Sequence, residues 1–177
     1  LSQAIYKEEL KKAMGWLSEQ PDILFLGQSV LYEGTGLYDT LDHLPKDKRM
    51  EFPVAENFQL GFSIGMALNG IVPVSCFPRW NFLLCATDQL VNHLDKLWKM
   101  SDGGYNPKVI IRVAVGSETP VDPQDQHKGN FSDAFRSMLS YVDVIELESP
   151  DIILEEYKKA YNSQKSTILV EYPDYGK

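Results

Sequence analysis

The sequence predicts an α/β fold, a three-layer sandwich in which helices cover both faces of a mostly parallel sheet. Three observations carry that prediction. A continuous apolar run at 23–26 and further apolar-rich, strand-length segments at 71–77, 109–115, 142–147 and 167–172 recur along the chain, as in the strands of a buried parallel sheet. Helical periodicity fills most of the intervals between them. Alternation of the two element types is the pattern of a parallel sheet with crossover helices. The 177 residues suit one domain, expected to span 1–177, with no internal repeat and no low-complexity linker.

Residues 2–19 are amphipathic, with Ile5, Leu10, Ala13, Met14 and Leu17 on the predicted buried face, Ser2 as N-cap and Pro21 as the stop. The first strand, 23–26, ends at Gly27. Residues 27–49 are turn-rich. Their Glu33-Gly34-Thr35-Gly36 piece supplies only G-x-G, with no helix opening behind it, so a loop is a simpler reading than a phosphate cradle. Met50-Glu51-Phe52 is a minimal strand, a helix follows over 55–68, and Gly70 sits just past its end. Gly61 and Gly65 share one face of that helix. Each costs about 1 kcal/mol relative to alanine, so close packing of a neighbouring backbone is expected there. In the strand 71–77, Pro73 lacks an N–H and belongs near the strand start or on an edge.

A long helix is expected over 81–99, with Leu83, Leu84, Leu90, Val91, Leu94 and Leu97 as its apolar face and His93 in a structural role. A break at 101–107 precedes the strand 109–115. The polar loop 116–130 then carries Pro120, Pro123 and His127; loops of that length in compact domains are commonly functional. A helix over 131–139 and a strand over 142–147 follow. The helix 150–162, with Ser149 as N-cap and Pro150 first, and the strand 167–172 come last.

The formal net charge of −8 disfavours nucleic acid or an anionic membrane as partner. No run of 18 apolar residues predicts a membrane span. The first residues lack the layout of a secretory signal, so a cytoplasmic location is expected. Cys76 and Cys85 match no metal or redox spacing and are expected as reduced, semi-buried thiols. No ligand spacing for a metal and no G-x-S-x-G elbow is present.

Ligands of open α/β sheets bind beyond the carboxyl ends of the strands. The predicted loops gather Glu56, the aromatic turn 77–82 and His127 at that edge. Rings to stack on, a carboxyl to pair with a ring nitrogen and an imidazole to move a proton suit a flat heteroaromatic ligand. From the residues alone Glu56 also reads as a first-turn glutamate favoured by the helix dipole. Phe82 and Trp80 also read as core residues, and His127 as an exposed loop histidine.

The stretch Pro53-Val54-Ala55-Glu56-Asn57-Phe58-Gln59-Leu60-Gly61-Phe62-Ser63-Ile64-Gly65-Met66-Ala67-Leu68-Asn69-Gly70-Ile71-Val72-Pro73-Val74 resembles the pyrimidine-binding domain of thiamine-diphosphate enzymes. It is most similar to the beta subunit of the decarboxylating component of 2-oxo acid dehydrogenases. The likeness continues through Trp80-Asn81-Phe82, Asp88-Gln89-Leu90-Val91-Asn92, Lys96, Met100-Ser101 and Gln126-His127. The segment 131–139 resembles transketolase and deoxyxylulose-phosphate synthase at least as well.

The resemblance implies the thiamine-diphosphate-binding fold and thiamine diphosphate as cofactor. It implies that a buried Glu56 hydrogen-bonds N1′ of the aminopyrimidine and activates the cofactor. It places Phe82 against the pyrimidine with Trp80 beside it, sets His127 toward the substrate, and makes Arg79 and Gln89 weaker candidates. The family's Gly-Asp-Gly motif with a downstream asparagine is absent from these residues, as is its C-terminal domain. A diphosphate-binding partner subunit holding the magnesium is therefore implied, in a homodimer or heterotetramer acting on a small 2-oxo acid or ketose-like substrate. A catalytically silent scaffold or regulatory subunit, a split 2-oxo acid decarboxylase subunit and a generic α/β ligand-binding module remain as alternatives. Departures from the family pattern are Gln28 and Ser29 after Gly27, Cys85, and a longer, more acidic loop before His127.

Overall fold

A computed structural model describes residues 2–118 and 122–176; Pro120 lies outside the described residues. Strands β1 (Ile23–Gly27), β2 (Arg49–Glu51), β3 (Val72–Phe77), β4 (Ile110–Ala114), β5 (Asp143–Glu146) and β6 (Thr167–Glu171) form one sheet of order β2-β1-β3-β4-β6-β5. Every pairing is parallel. The helices are α1 (Ser2–Ser18), α2 (Glu56–Leu68), α3 (Trp80–Leu83), α4 (Leu97–Met100), α5 (Ser132–Met138) and α6 (Pro150–Asn162). This is the expected three-layer α/β architecture. No helix among the described residues is long and apolar enough to cross a membrane.

Strand alternation builds the two apolar layers. Phe25, Val74, Cys76, Ile110 and Leu169 join α1 and α6 in one core, which includes Leu10, Met14, Ile153 and Tyr157. Ile111, Val113, Ile168 and Val170 face the other way and pack with Leu60, Trp80, Leu90 and Phe135. The chain leaves β1 on one side for β2 and returns to β3 on the other, which makes a switch point between β1 and β3. There Gly27 has φ +150, and a Cβ on it would stand 2.3 Å from the Cys76 carbonyl oxygen. Only glycine lets the end of β1 lie this close to β3. Pro73 is the second residue of β3, opposite Leu24 of β1, and pairing with β4 begins only at Val74. Its missing N–H therefore faces no strand, as expected of a proline near a strand start.

Several local expectations are corrected. On α1 the buried face runs through Tyr6, Leu10, Ala13, Met14 and Leu17, while Ile5 is exposed. Spacings of three and four from Tyr6 keep one stripe inward, and Ile5 falls off it. Ser2 is the first helical residue, and its hydroxyl donates to the Tyr175 and Gly176 carbonyls instead of capping. Ser149 holds the N-cap position of α6, but its hydroxyl donates to the Asp151 carboxylate, not to a helix amide. The thiols are not alike: Cys76 is buried and Cys85 is exposed. The glycine face of α2 meets no close backbone among the described residues. Gly61 faces only the Gln89 side chain, and nothing lies within 4 Å of a Cβ at Gly65. The same face exposes Phe58 and Phe62, which form a ring cluster with Phe52.

The long helix expected over 81–99 is broken into α3, a 3-10 turn at Leu84–Ala86, a π-helical segment at Gln89–Leu94, and α4. Leu84 becomes exposed, and His93 is half-exposed, 3.6 Å from Asp88. The reason is Asp95. Its N–H reaches back five residues to the Leu90 carbonyl at 3.0 Å, the mark of a π turn. Its buried carboxylate accepts the backbone N–H groups of Ser140, Tyr141 and Val142 at 2.7–3.0 Å. Those amides lead into β5, so one carboxylate ties the helical layer to the edge of the sheet. Asp95→Asn replaces an acceptor oxygen with a donor facing donors. It should lower stability by roughly 2–4 kcal/mol in urea denaturation, and a loss within experimental error would remove Asp95 from this role.

Candidate active site

The carboxyl edge is built by carboxylates that hold loops. Glu51, the last residue of β2, accepts the N–H groups of Ser29 and Leu31 at 2.7 and 2.8 Å. This pins the turn after β1, where Ser29 has φ +60, against the end of β2. The chain then passes the buried Phe52 and enters α2 at Glu56. One turn into α2, Gln59 is buried and donates to Ser75 Oγ at 3.0 Å and to the Cys76 carbonyl at 3.1 Å. These two bonds fix the start of α2 against β3, and with it the position of Glu56. Glu56 itself is half-buried and makes no side-chain hydrogen bond or ion pair among the described residues. The described residues leave this carboxyl half-buried, because it stands at the sheet edge between the exposed Val54 and Phe58.

Two other predicted residues are brought together. Phe82, in α3 after β3, lies with its ring centroid 5.0 Å from that of His127. His127 closes a 3-10 turn, Gln124–His127, in the loop after β4. Gly116 explains how the loop returns. A Cβ there would stand 1.7 Å from the His127 carbonyl oxygen, so the two ends of the loop touch backbone to backbone. Around the ring pair, His127 Nδ1 and Asn81 Oδ1 are buried without a hydrogen-bond partner.

Trp80 is placed differently from the expectation of a ligand-facing ring. It has no exposed surface and stacks on Phe135 at 5.1 Å within the core. As the first residue of α3 it turns back toward the sheet, while Phe82 remains half-exposed. Gln89 packs against Gly61 of α2. Among the described residues no group of three or more His, Cys, Asp or Glu side chains could hold a metal ion.

The loop is anchored at its far end by a second carboxylate. Glu146, at the end of β5, accepts hydrogen bonds from Asn130 Nδ2 at 3.0 Å and from the Tyr172 hydroxyl, and pairs with Arg136 at 2.8 Å. Burial alone would raise the Glu146 carboxyl, but these three partners outweigh it and hold it below its ordinary value.

Sequence reasoning missed a buried pair beside this edge. Arg112 of β4 and Glu171 of β6 are joined by two hydrogen bonds, the longer at 3.0 Å, and both are almost fully buried. Arg112 Nη2 also donates to Thr40 Oγ1 at 2.8 Å, and the Tyr157 hydroxyl donates to Glu171 at 2.6 Å. The signal was present, since each charge interrupts an otherwise apolar run that must be buried on both faces. A charge in such a place needs a partner.

What this edge can do is limited and specific. It offers one unpartnered carboxyl at a helix start, a half-exposed aromatic ring, and an imidazole with a free nitrogen. Those groups fit a planar nitrogen heterocycle that needs a carboxyl on one ring nitrogen and a surface to stack on.

No protein-family model matches the chain. It is 31% identical over 112 residues to the pyruvate dehydrogenase E1 component subunit beta, mitochondrial, of Drosophila melanogaster, covering 61% of this chain and 30% of that protein. It is 26% identical over 163 residues to the pyruvate dehydrogenase E1 component subunit beta of Cyanidium caldarium, covering 89% and 46%. The chain thus spans less than half the length of these curated relatives. Its fold matches a solved structure described as "Split gene transketolase, inactive beta4 tetramer", with TM-score 0.72 and 18% identity over 95% of this chain and 51% of that one. It also matches transketolase from Campylobacter jejuni, with TM-score 0.72 and 13% identity over 98% and 26%. The chain therefore resembles a transketolase-like domain, with sequence likeness to E1 beta subunits.

The depressed Glu146 carboxyl makes a pH prediction. A group lowered in the folded state stabilises it above its unfolded value and loses that contribution as pH falls through the folded value. The side-chain amide signal of Asn130 should therefore titrate with a midpoint below about 4.3, the ordinary glutamate value. A midpoint at or above that value in an NMR titration would contradict the anchor.

Proposed function

We propose, on the likeness to E1 beta subunits and transketolases, that this chain is the pyrimidine-binding domain of a thiamine-diphosphate enzyme. A second, diphosphate-binding subunit completes its active site and carries the magnesium. The observation that carries the reading is Glu56, a carboxyl at the start of α2 with no partner of its own and exposed apolar residues on either side. In this reading Glu56 holds a ring nitrogen of the aminopyrimidine, and docking of the partner buries it. Phe82 provides the stacking surface. His127, held beside Phe82 by the Gly116 contact, faces the substrate and exchanges a proton through a ring nitrogen. Trp80 acts from the core, backing α3 so that Phe82 keeps its place. Thiamine diphosphate, when bound, supplies an electron sink for cleaving a bond next to a carbonyl, and the substrate is a 2-oxo acid or a ketose-like compound.

The open face of α2 supports a partner at this edge. Phe58, Gly61, Phe62 and Gly65 form a stripe on which, among the described residues, only the Gln89 side chain approaches Gly61 and nothing approaches Gly65. Glycines on such a stripe let a second helix approach closely. The split-gene transketolase neighbour is described as inactive in its beta4 form, and by analogy this chain alone is expected to be inactive.

Two measurements test the proposal. Calorimetry of the chain alone with thiamine diphosphate should show weak binding or none, and tight binding without a partner would refute the shared site. With the partner present, Glu56→Gln should slow exchange of the cofactor's C2 proton by roughly a hundredfold or more. An unchanged rate would leave a silent scaffold of the same fold as the better reading.

A further inference from the structure

Two buried polar atoms are left without partners where the His127 turn meets α3. One is His127 Nδ1, and the other is the side-chain oxygen of Asn81, Oδ1. The turn Gln124–His127 packs against α3. Phe82, next to Asn81 in the chain, holds its ring 5.0 Å from the His127 ring. The two atoms are not bonded to each other in the structure. They are complementary, since an amide oxygen only accepts and an imidazole nitrogen donates when it carries the proton. The terminal torsions of both side chains are soft, so amide and ring can turn toward one another. The other unpartnered donors of this segment have different surroundings. Trp80 Nε1 lies in the core, where its ring stacks on Phe135. Arg79 lines a separate cleft beside α1, which neither Asn81 nor His127 lines, and it acts on the Asp122 carboxylate.

The two ring nitrogens of His127 stand in unlike places. The residue is half-buried. Nδ1 is buried, whereas Nε2 is not, and no described residue bonds it. With the proton on Nε2, Nδ1 and Asn81 Oδ1 would both be acceptors and both stay unmade, which is costly away from water. With the proton on Nδ1, one bond satisfies both. The hydrogen bond made through one ring nitrogen decides which nitrogen carries the proton. We infer that Asn81 is a positioning residue for His127: its Oδ1 holds the Nδ1 proton, so the open Nε2 presents a lone pair to the substrate and serves as a proton acceptor. Nε2 takes the proton of a substrate hydroxyl as that O–H bond breaks. The imidazolium so formed keeps its Nδ1–H on Asn81 until the proton is returned. The proton transfer rests on the function proposed above, whereas the position of the ring proton rests on this chain alone.

The full chain, isotope-labelled at its histidines, is read by nitrogen NMR at about pH 8.5, where an ordinary imidazole is neutral. His127→Gln assigns the signals. In the unaltered chain the Nδ1–H form of His127 should exceed the Nε2–H form about tenfold. Asn81→Leu removes the acceptor at similar size, and the Nε2–H form should then rise to about half of the population or more. Asn81→Asp keeps an acceptor and charges it, so Nδ1–H should persist with its proton signal moved downfield, as in a charge-assisted bond. A predominant Nε2–H form in the unaltered chain overturns the inference, and so does an Asn81→Leu chain that keeps its Nδ1–H. Should Asn81→Leu fail to fold, Asn81→Asp decides, and an unmoved Nδ1 proton overturns the inference. Glu56→Gln should leave the ring proton where it is; a shift to Nε2 there would make the ring answer to Glu56 instead and overturn the assignment to Asn81. Failure of the C2 exchange test in Glu56→Gln bears on the thiamine-diphosphate reading and leaves the ring proton untouched.

Discussion

A charged pair buried between two central strands sets the conditions for the rest of the molecule. Arg112 and Glu171 lie on β4 and β6, at the end of the sheet where loops converge. Burial works against the Arg112 charge, but the Glu171 carboxylate outweighs it and holds the guanidinium above its ordinary value. The groups around the pair are neutral. Burial, with Glu171 nearby, pushes the Tyr157 and Tyr6 hydroxyls up, and burial raises the Cys76 thiol to about 12. Two charges thus stand among hydroxyls and a thiol that stay protonated at neutral pH. Tyr157 comes from α6, Thr40 from the loop after β1, and Tyr6 from α1. The ion pair thus locates α6 and the loop after β1, while Tyr6, which accepts the Tyr172 amide and donates to the Leu147 carbonyl, joins α1 to the ends of β5 and β6.

The same device recurs around the sheet with different carboxylates. Glu51 holds the turn after β1, Asp95 holds the approach to β5, and Glu146 holds the exit of the loop that carries His127. Each carboxylate accepts from donors that a loop would otherwise leave unpaired, so irregular backbone is kept in register by side chains from regular elements. Glu56 stands apart from this pattern. It occupies an equivalent station at the edge, yet no loop uses it. That contrast singles it out on structural grounds, independently of any likeness to other proteins.

The sheet, its parallel sense and the helix positions were legible because apolar runs and periodicities report burial directly. Limits at most elements fall within a residue or two of those expected, as for α6 and β6. What was not legible depends on contacts distant in sequence. Ile5 and Tyr6 compete for one place on α1, and the choice of Tyr6 depends on a carbonyl acceptor at Leu147 and an amide donor at Tyr172, both more than 140 residues away. The split of the 81–99 segment depends on amides at 140–142 that no local pattern announces. Gly61 and Gly65 were read as sites of close backbone approach, but among the described residues Gly61 meets only the Gln89 side chain and nothing approaches Gly65. For the site, Phe82 and His127 meet as rings, whereas Trp80 shows how a residue two places away on a short helix can point into the core instead.

The π-helical segment has a consequence for how this chain can change. It holds one residue more than an α-helix would need to span the same path. Deleting one residue between Gln89 and Leu94 would yield a more regular helix by any local measure. It would also turn everything after the cut by about 100° around the helix axis, swinging Asp95 away from the amides of 140–142. Regularity and correct orientation therefore oppose each other in this segment. Length changes should be rejected between Gln89 and Leu94, where the surplus residue sets the angle.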